Sequence, residues 1–186
     1  MFEFEAESDG ITVVNLTNHA YWNLSGNLKE SILKHELQMN ADKIVEVDNK
    51  LIPTGKLVEV AREFDFQKPM EIGEHIKEIP HFGGYDHCFV LKNHKVGQLE
   101  LAASVKLGKR KMEIYTTKPS LQLYTCNKIA STLARNGASF FEHSAFCLET
   151  QYIPDSPNNP SLSPPLNSVL RAGEKYCHKT VHKFYF

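Results

Sequence analysis

The chain has 186 residues, 41% of them hydrophobic, and a net charge of −1. That is enough for one domain with a sizeable core, spanning 1–186, and the near-neutral charge leaves no basic field for nucleic acid and no acidic tail. No run approaches the roughly 20 apolar residues of a membrane helix, and Cys88, Cys126, Cys147 and Cys177 show neither C-x-x-C spacing nor an apolar leader ahead of them, which predicts reduced thiols in the cytoplasm and no membrane partner.

Residues 2–6 alternate, with Phe2, Phe4 and Ala6 on one side and Glu3 and Glu5 on the other, the period of a half-buried strand. Ser8, Asp9 and Gly10 supply turn chemistry, so residues 11–16 read as the returning strand of a hairpin. A chain that starts in mid-hairpin suggests that a piece upstream is missing. Residues 15–26 then place His19, Tyr21, Trp22 and several polar side chains in one short piece that does not read as pure core. His19 alone is either a core histidine satisfied by a carbonyl or a functional group. Tyr21 and Trp22 are open to a plain packing role.

Residues 31–47 read as strands, 51–55 (Leu-Ile-Pro-Thr-Gly) as a turn and 57–60 as a further strand. Met70, Ile72, Ile76 and Ile79 fit one short helix. Gly83 and Gly84 permit a close backbone approach, which presents Asp86 and His87 at the start of an apolar strand over 88–91. His75, His81 and His87 match no compact zinc spacing, so no metal and no cofactor are expected. Three strands follow in quick succession, 99–107, 111–117 and 120–124, with Leu121 and Leu123 on one face and Gln122 and Tyr124 on the other. Residues 135–137 (Arg-Asn-Gly) read as a turn. Closely spaced strands with turn signals mean an antiparallel all-β architecture.

In residues 145–160, an apolar run ends at Glu149, and Pro154, Asp155, Pro157 and Pro160 follow. Proline cannot continue a ladder, so the reading places Glu149 at a strand's mouth beside a stiff polar loop, where burial can tune a base. A Glu that pairs with a surface cation is the plain alternative. Residues 180–186 close the chain as a strand.

Glu149-Thr150-Gln151 with Pro154-Asp155 and Asn159-Pro160 resembles the signature of the galactose mutarotase (aldose 1-epimerase) family, and N-L-T-N-H-x-Y-x-N-L-x-G at residues 15–26 resembles its second signature. The resemblance implies a large antiparallel β-sandwich of the galactose mutarotase type, with Glu149 as catalytic base and His19 as general acid. G-Y-D-H at 84–87 and L-Q-x-Y-T-x-N at 121–127 are similar to the family's sugar-binding segments and imply that Asp86 and Gln122 read sugar hydroxyls. The partner is then a small sugar, galactose or glucose. The likeness is to the C-terminal part of the family only. The N-terminal part of such enzymes brings a further His and an Arg that no position here matches, so the sandwich is expected to be incomplete at its N-terminus and catalysis by the short chain weak or absent.

Interconverting anomers requires a proton taken from the C1 hydroxyl and one given to the ring oxygen, which the reading assigns to a carboxylate and an imidazolium on opposite sides of the sugar. Two other readings compete. A noncatalytic carbohydrate-binding module would use the same groove, and a hexose 6-phosphate epimerase would need a cationic cluster, for which Lys109, Arg110 and Lys111 are the dense basic run.

Overall fold

Apolar side chains at every second position put one face of a strand in the core and the other outside, and this period governs the chain. The computed structural model describes every residue except 28, 80–82, 130–132, 134–136, 138 and 163–165. It forms β1 (Phe2–Glu7), β2 (Thr12–Val13), β3 (Glu36–Met39), β4 (Ala41–Val47), β5 (Pro53–Glu59), β6 (Met70–Glu71), β7 (Asp86–Leu91), β8 (Glu100–Leu107), β9 (Arg110–Thr116), β10 (Ser120–Tyr124), β11 (Cys147–Gln151), β12 (Val169–Leu170) and β13 (Lys175–Tyr185). The helical pieces among the described residues are single 3-10 turns.

Two antiparallel sheets carry the core. Their strand orders are β1-β13-β9-β8-β3-β6 and β11-β10-β7-β4-β5, with β2 and β12 paired in a separate ribbon. Leu37, Met39, Val105, Met112 and Ile114 of the first sheet meet Ile44, Phe89, Leu121, Leu123 and Leu148 of the second in one buried cluster, each contributing roughly 1.5–3 kcal/mol by leaving water. This is the predicted β-sandwich. Strands β8 to β10 fall within a residue or so of their predicted bounds, with Leu121 and Leu123 inward as expected. Their outward neighbours, Gln122 and Tyr124, therefore stand on the outer face of the five-stranded sheet, where Val45, Cys88, Val90, Ile153 and Leu162 form a second apolar cluster.

Several expectations are corrected. No hairpin joins β1 to β2. β1 pairs with β13, and β2 pairs with β12, because the chain leaves the sheet at Ser8, whose hydroxyl accepts from Gly10 N–H. Residues 70–79 are not a helix. Ile72 and Gly73 donate to the carbonyls of His35 and Leu33, and Gly73 lies so close to Leu33 that a Cβ would come within 2.9 Å of it. The turn near 51–55 closes earlier, where the Asp48 carboxylate accepts from the N–H groups of Lys50 and Ile52, and Pro53 opens β5, a place where its missing N–H is tolerated. The closing strand starts at Lys175, with Tyr176, His178 and Thr180 turned inward. Residues 135 and 136 of the expected turn, and His81, lie outside the described residues.

Candidate active site

The antiparallel register lays out the site. Gln122 stands opposite both Glu149 and Cys88, and Tyr124 opposite both Cys147 and Asp86. Directly opposed residues share a face, so Glu149, Gln122 and Cys88 form one row on the outer face, and Cys147, Tyr124 and Asp86 the next. Glu149 is not at the mouth of its strand, as the sequence suggests, but in the middle of β11, since the ladder runs on to Gln151. It is consequently buried.

His19 arrives from a loop that is tied to the two residues flanking β11, Tyr152 and Phe146. Asn15 exchanges two hydrogen bonds with the main chain of Tyr152, Nδ2 donating to its carbonyl at 3.1 Å and Oδ1 accepting its N–H at 2.8 Å. Trp22 and Phe146 exchange main-chain bonds of 2.8 and 2.9 Å. The loop between these ties lies across the strand, and His19 Nε2 comes to 3.5 Å from Glu149 Oε1. Tyr21 stacks on the imidazole with ring centres 5.1 Å apart, and Tyr124 meets both rings edge-on. Trp22 packs elsewhere, against His182 and Phe184.

Asp86 and Gln122 are positioned by two interlocked segments. Thr125 Oγ1 accepts from Tyr85 N–H at 2.9 Å, and Asn127 Nδ2 donates to the Tyr85 carbonyl at 2.9 Å. Gly84 makes the contact possible: a Cβ there would sit 2.3 Å from Asn127 Oδ1. Gln122 Nε2 then donates to Asp86 Oδ1 at 2.8 Å. A similar fit joins Gly55 to Asn159, where a Cβ would meet Asn159 Oδ1 at 2.3 Å, locking the β4–β5 hairpin to the loop after β11.

Two adjoining cavities, each about 290 Å³, share His19, Leu51, Asp86 and Glu149, close to the roughly 300–1,000 Å³ usual for small-molecule sites. A larger cleft of about 400 Å³ beside Gln38, Asn40 and Leu101 contains no carboxylate or imidazole, so size does not select it. Burial pushes Glu149 above the usual carboxylate range, reinforced by the charge of Asp86 and opposed by His19. Burial raises Asp86 too, against the Gln122 hydrogen bond and the charges of His19 and Lys128.

The structure thus brings together all four residues singled out from the sequence, but His19 and Glu149 lie side by side rather than across a gap. Leu51, Tyr21, Tyr124, Asn127 and Lys128 also line the cleft. Tyr124 was legible from its parity with Gln122. Leu51 was not, because it enters through a left-handed turn residue at φ 64°. His75 is taken up by Glu78 at 2.9 Å, and buried His87 accepts from Asp86 N–H with its pKa lowered to about 4 by desolvation. Arg110 of the basic run donates to the carbonyls of Leu24 and Ser25, and Lys111 pairs with Glu113, away from the cleft. Among the described residues, the donor atoms of His19, Cys147 and Glu149 lie within 4.8 Å of one another and could hold a metal ion.

Fold and cleft together define a β-sandwich protein with an imidazole and a carboxylate in contact on the outer face of one sheet. The chain belongs to the aldose 1-epimerase family, whose model matches residues 1–183. It is 43% identical over 183 residues to galactose mutarotase of Homo sapiens, covering 97% of this chain and 52% of that protein. It is 35% identical over 186 residues to aldose 1-epimerase of Haemophilus influenzae, covering 98% and 54%. The solved structure of an aldose epimerase homologue from C. elegans matches with a TM-score of 0.82 at 28% identity, over 98% of this chain and 54% of that one. The chain spans about half the length of the relatives it matches.

Proposed function

We propose that the cleft binds a hexopyranose, galactose or glucose, and interconverts its α and β anomers. The observation that carries this reading is the 3.5 Å approach of His19 Nε2 to Glu149 Oε1. The hydroxyl oxygen and the ring oxygen of a hemiacetal are both bonded to C1, so an acid and a base side by side can address the two together. Glu149 takes the C1 hydroxyl proton, the bond from C1 to the ring oxygen breaks, and protonated His19 gives its proton to that oxygen. Rotation about the bond from C1 to C2 and the reverse transfers close the other anomer. A carboxylate raised by burial is a better match to this proton transfer than an exposed one. Asp86 and Gln122 hold sugar hydroxyls, and Tyr21 and Tyr124 offer aromatic surface to the ring's apolar face.

The four cysteines are all free thiols, which fits the reducing cytoplasm as the place of action. Among the described residues, no helix is long and apolar enough to cross a membrane.

Exchange spectroscopy of the anomeric protons of galactose, beside saturation transfer from protein to sugar, tests the reading. Exchange faster than the buffer blank, lost in Glu149→Gln while saturation transfer persists, is the expected result. Saturation transfer without accelerated exchange makes the protein a carbohydrate-binding module, and absence of both overturns the sugar assignment.

A further inference from the structure

The group formed by His19, Cys147 and Glu149 contains more chemistry than the proposed reaction uses. Cys147 and Glu149 are two apart on β11 and share its outer face, while His19 reaches them over the Asn15 and Trp22 ties. The three offer one nitrogen, one sulfur and one oxygen, all within 4.8 Å. Sulfur and imidazole donors select zinc and its thiophilic neighbours over magnesium and calcium, which take oxygen. Zinc bonds of about 2.0–2.3 Å place tetrahedral donors about 3.3–3.6 Å apart. The nitrogen and oxygen already stand 3.5 Å apart, so the set closes around a cation with a shift of about an ångström.

We propose that His19, Cys147 and Glu149 form an inhibitory site for a thiophilic divalent cation, zinc first among them, bound by three protein ligands with a fourth position left to water or a sugar hydroxyl. The thiol gives up its proton to solvent as the sulfur–zinc bond forms, a protonated His19 gives up its Nε2 proton as the nitrogen–zinc bond forms, and no electron moves. Cys147 is fully buried. A coordinating cation supplies the charge that deprotonates a thiol ligand. Entry is from the His19 side, which is half exposed, and the carboxylate of Asp86 on the same cavity wall adds negative field. Inhibition rests on the epimerase reading, because the cation takes up the groups assigned to acid and base. Binding does not.

Cobalt(II) is the probe. A titration of the metal-free protein is expected to give a thiolate-to-cobalt charge-transfer band with visible bands of a four-coordinate site, displaced by zinc. Outer partners of metal ligands are already worth about 10–100-fold in affinity, so Cys147→Ser is expected to abolish the band, and Glu149→Gln to weaken cobalt binding at least about 100-fold. Cys177→Ser, which removes the exposed thiol, keeps it. A band that survives in Cys147→Ser, or is lost in Cys177→Ser, overturns the proposal, as does no band in the wild type. Circular dichroism of each variant separates ligand loss from unfolding, and a Cys147→Ser that unfolds leaves Glu149→Gln to decide. Zinc is further expected to slow anomer exchange, with recovery on chelation. If no protein accelerates exchange but the cobalt band forms, the epimerase reading fails and the metal site stands.

Discussion

Asn15 meets the main chain of Tyr152 as a neighbouring strand would, its amide giving one hydrogen bond of 3.1 Å and taking one of 2.8 Å. The two residues are 137 positions apart. Through them the loop that carries His19 is registered against the strand that carries Glu149.

Asn15→Ala removes both bonds and leaves the Tyr152 main chain without those partners. A loss of about 1–3 kcal/mol in denaturant unfolding is expected, with kcat falling more than KM rises, because His19 loses its alignment while Asp86 and Gln122 keep theirs. A KM change at constant kcat would contradict the positioning role of Asn15.

On the proposed reaction, Glu149 is expected to connect activity to stability with opposite signs. Burial raises its pKa, and that of Asp86, above the ordinary carboxylate values, so between the unfolded and folded values the native state binds more protons. The stability contributed this way is fully present below the unfolded pKa and is lost as pH rises through the folded one. Glu149→Gln is therefore expected to raise the thermal midpoint at neutral pH, with the difference closing in acid, while kcat drops about 10²–10⁴-fold. On the proposed reaction, the wild-type rate is expected to rise with pH as Glu149 loses its proton. Calorimetry over pH, beside the rate profile, checks both signs.

Gln122→Leu deprives Asp86 of a 2.8 Å donor. Hydrogen bonds to charged groups contribute about 1.5–3 kcal/mol, so sugar affinity is expected to fall about tenfold or more as Asp86 is raised further and its position loosens. Titration by saturation transfer reads the affinity directly, and an unchanged value would remove Gln122 from the binding set.

Gly84→Ala places a Cβ 2.3 Å from Asn127 Oδ1 and 2.6 Å from Thr125 Oγ1. Overpacking of this kind costs about 1–3 kcal/mol. The displaced Tyr85 main chain also moves Asp86, so weaker sugar binding is expected to accompany the lower unfolding midpoint. Gly108→Ala, where a Cβ meets nothing within 4 Å, separates close approach from the loss of glycine as such.

Strand period, inward leucines and the short polar motifs were readable from the chain because they depend on residues a few positions apart. Leu121 and Leu123 alternate with Gln122 and Tyr124 whatever lies opposite, and the prolines after Glu149 end a ladder wherever it runs. Partner choice was not readable in this way. β1 takes β13 instead of the adjacent β2, and Ile72 and Gly73 take the His35 and Leu33 carbonyls, which leaves only a single 3-10 turn at Ile76–Glu78, because these choices depend on carbonyls and side chains brought in from elsewhere. The same holds for the cleft: Glu149 is raised by burial under distant segments, and Cys147 acquires His19 as a neighbour only through the Asn15 and Trp22 ties. Local periodicity specifies which way a side chain points. What it points at, and how dry that place is, is set by contacts over more than a hundred residues.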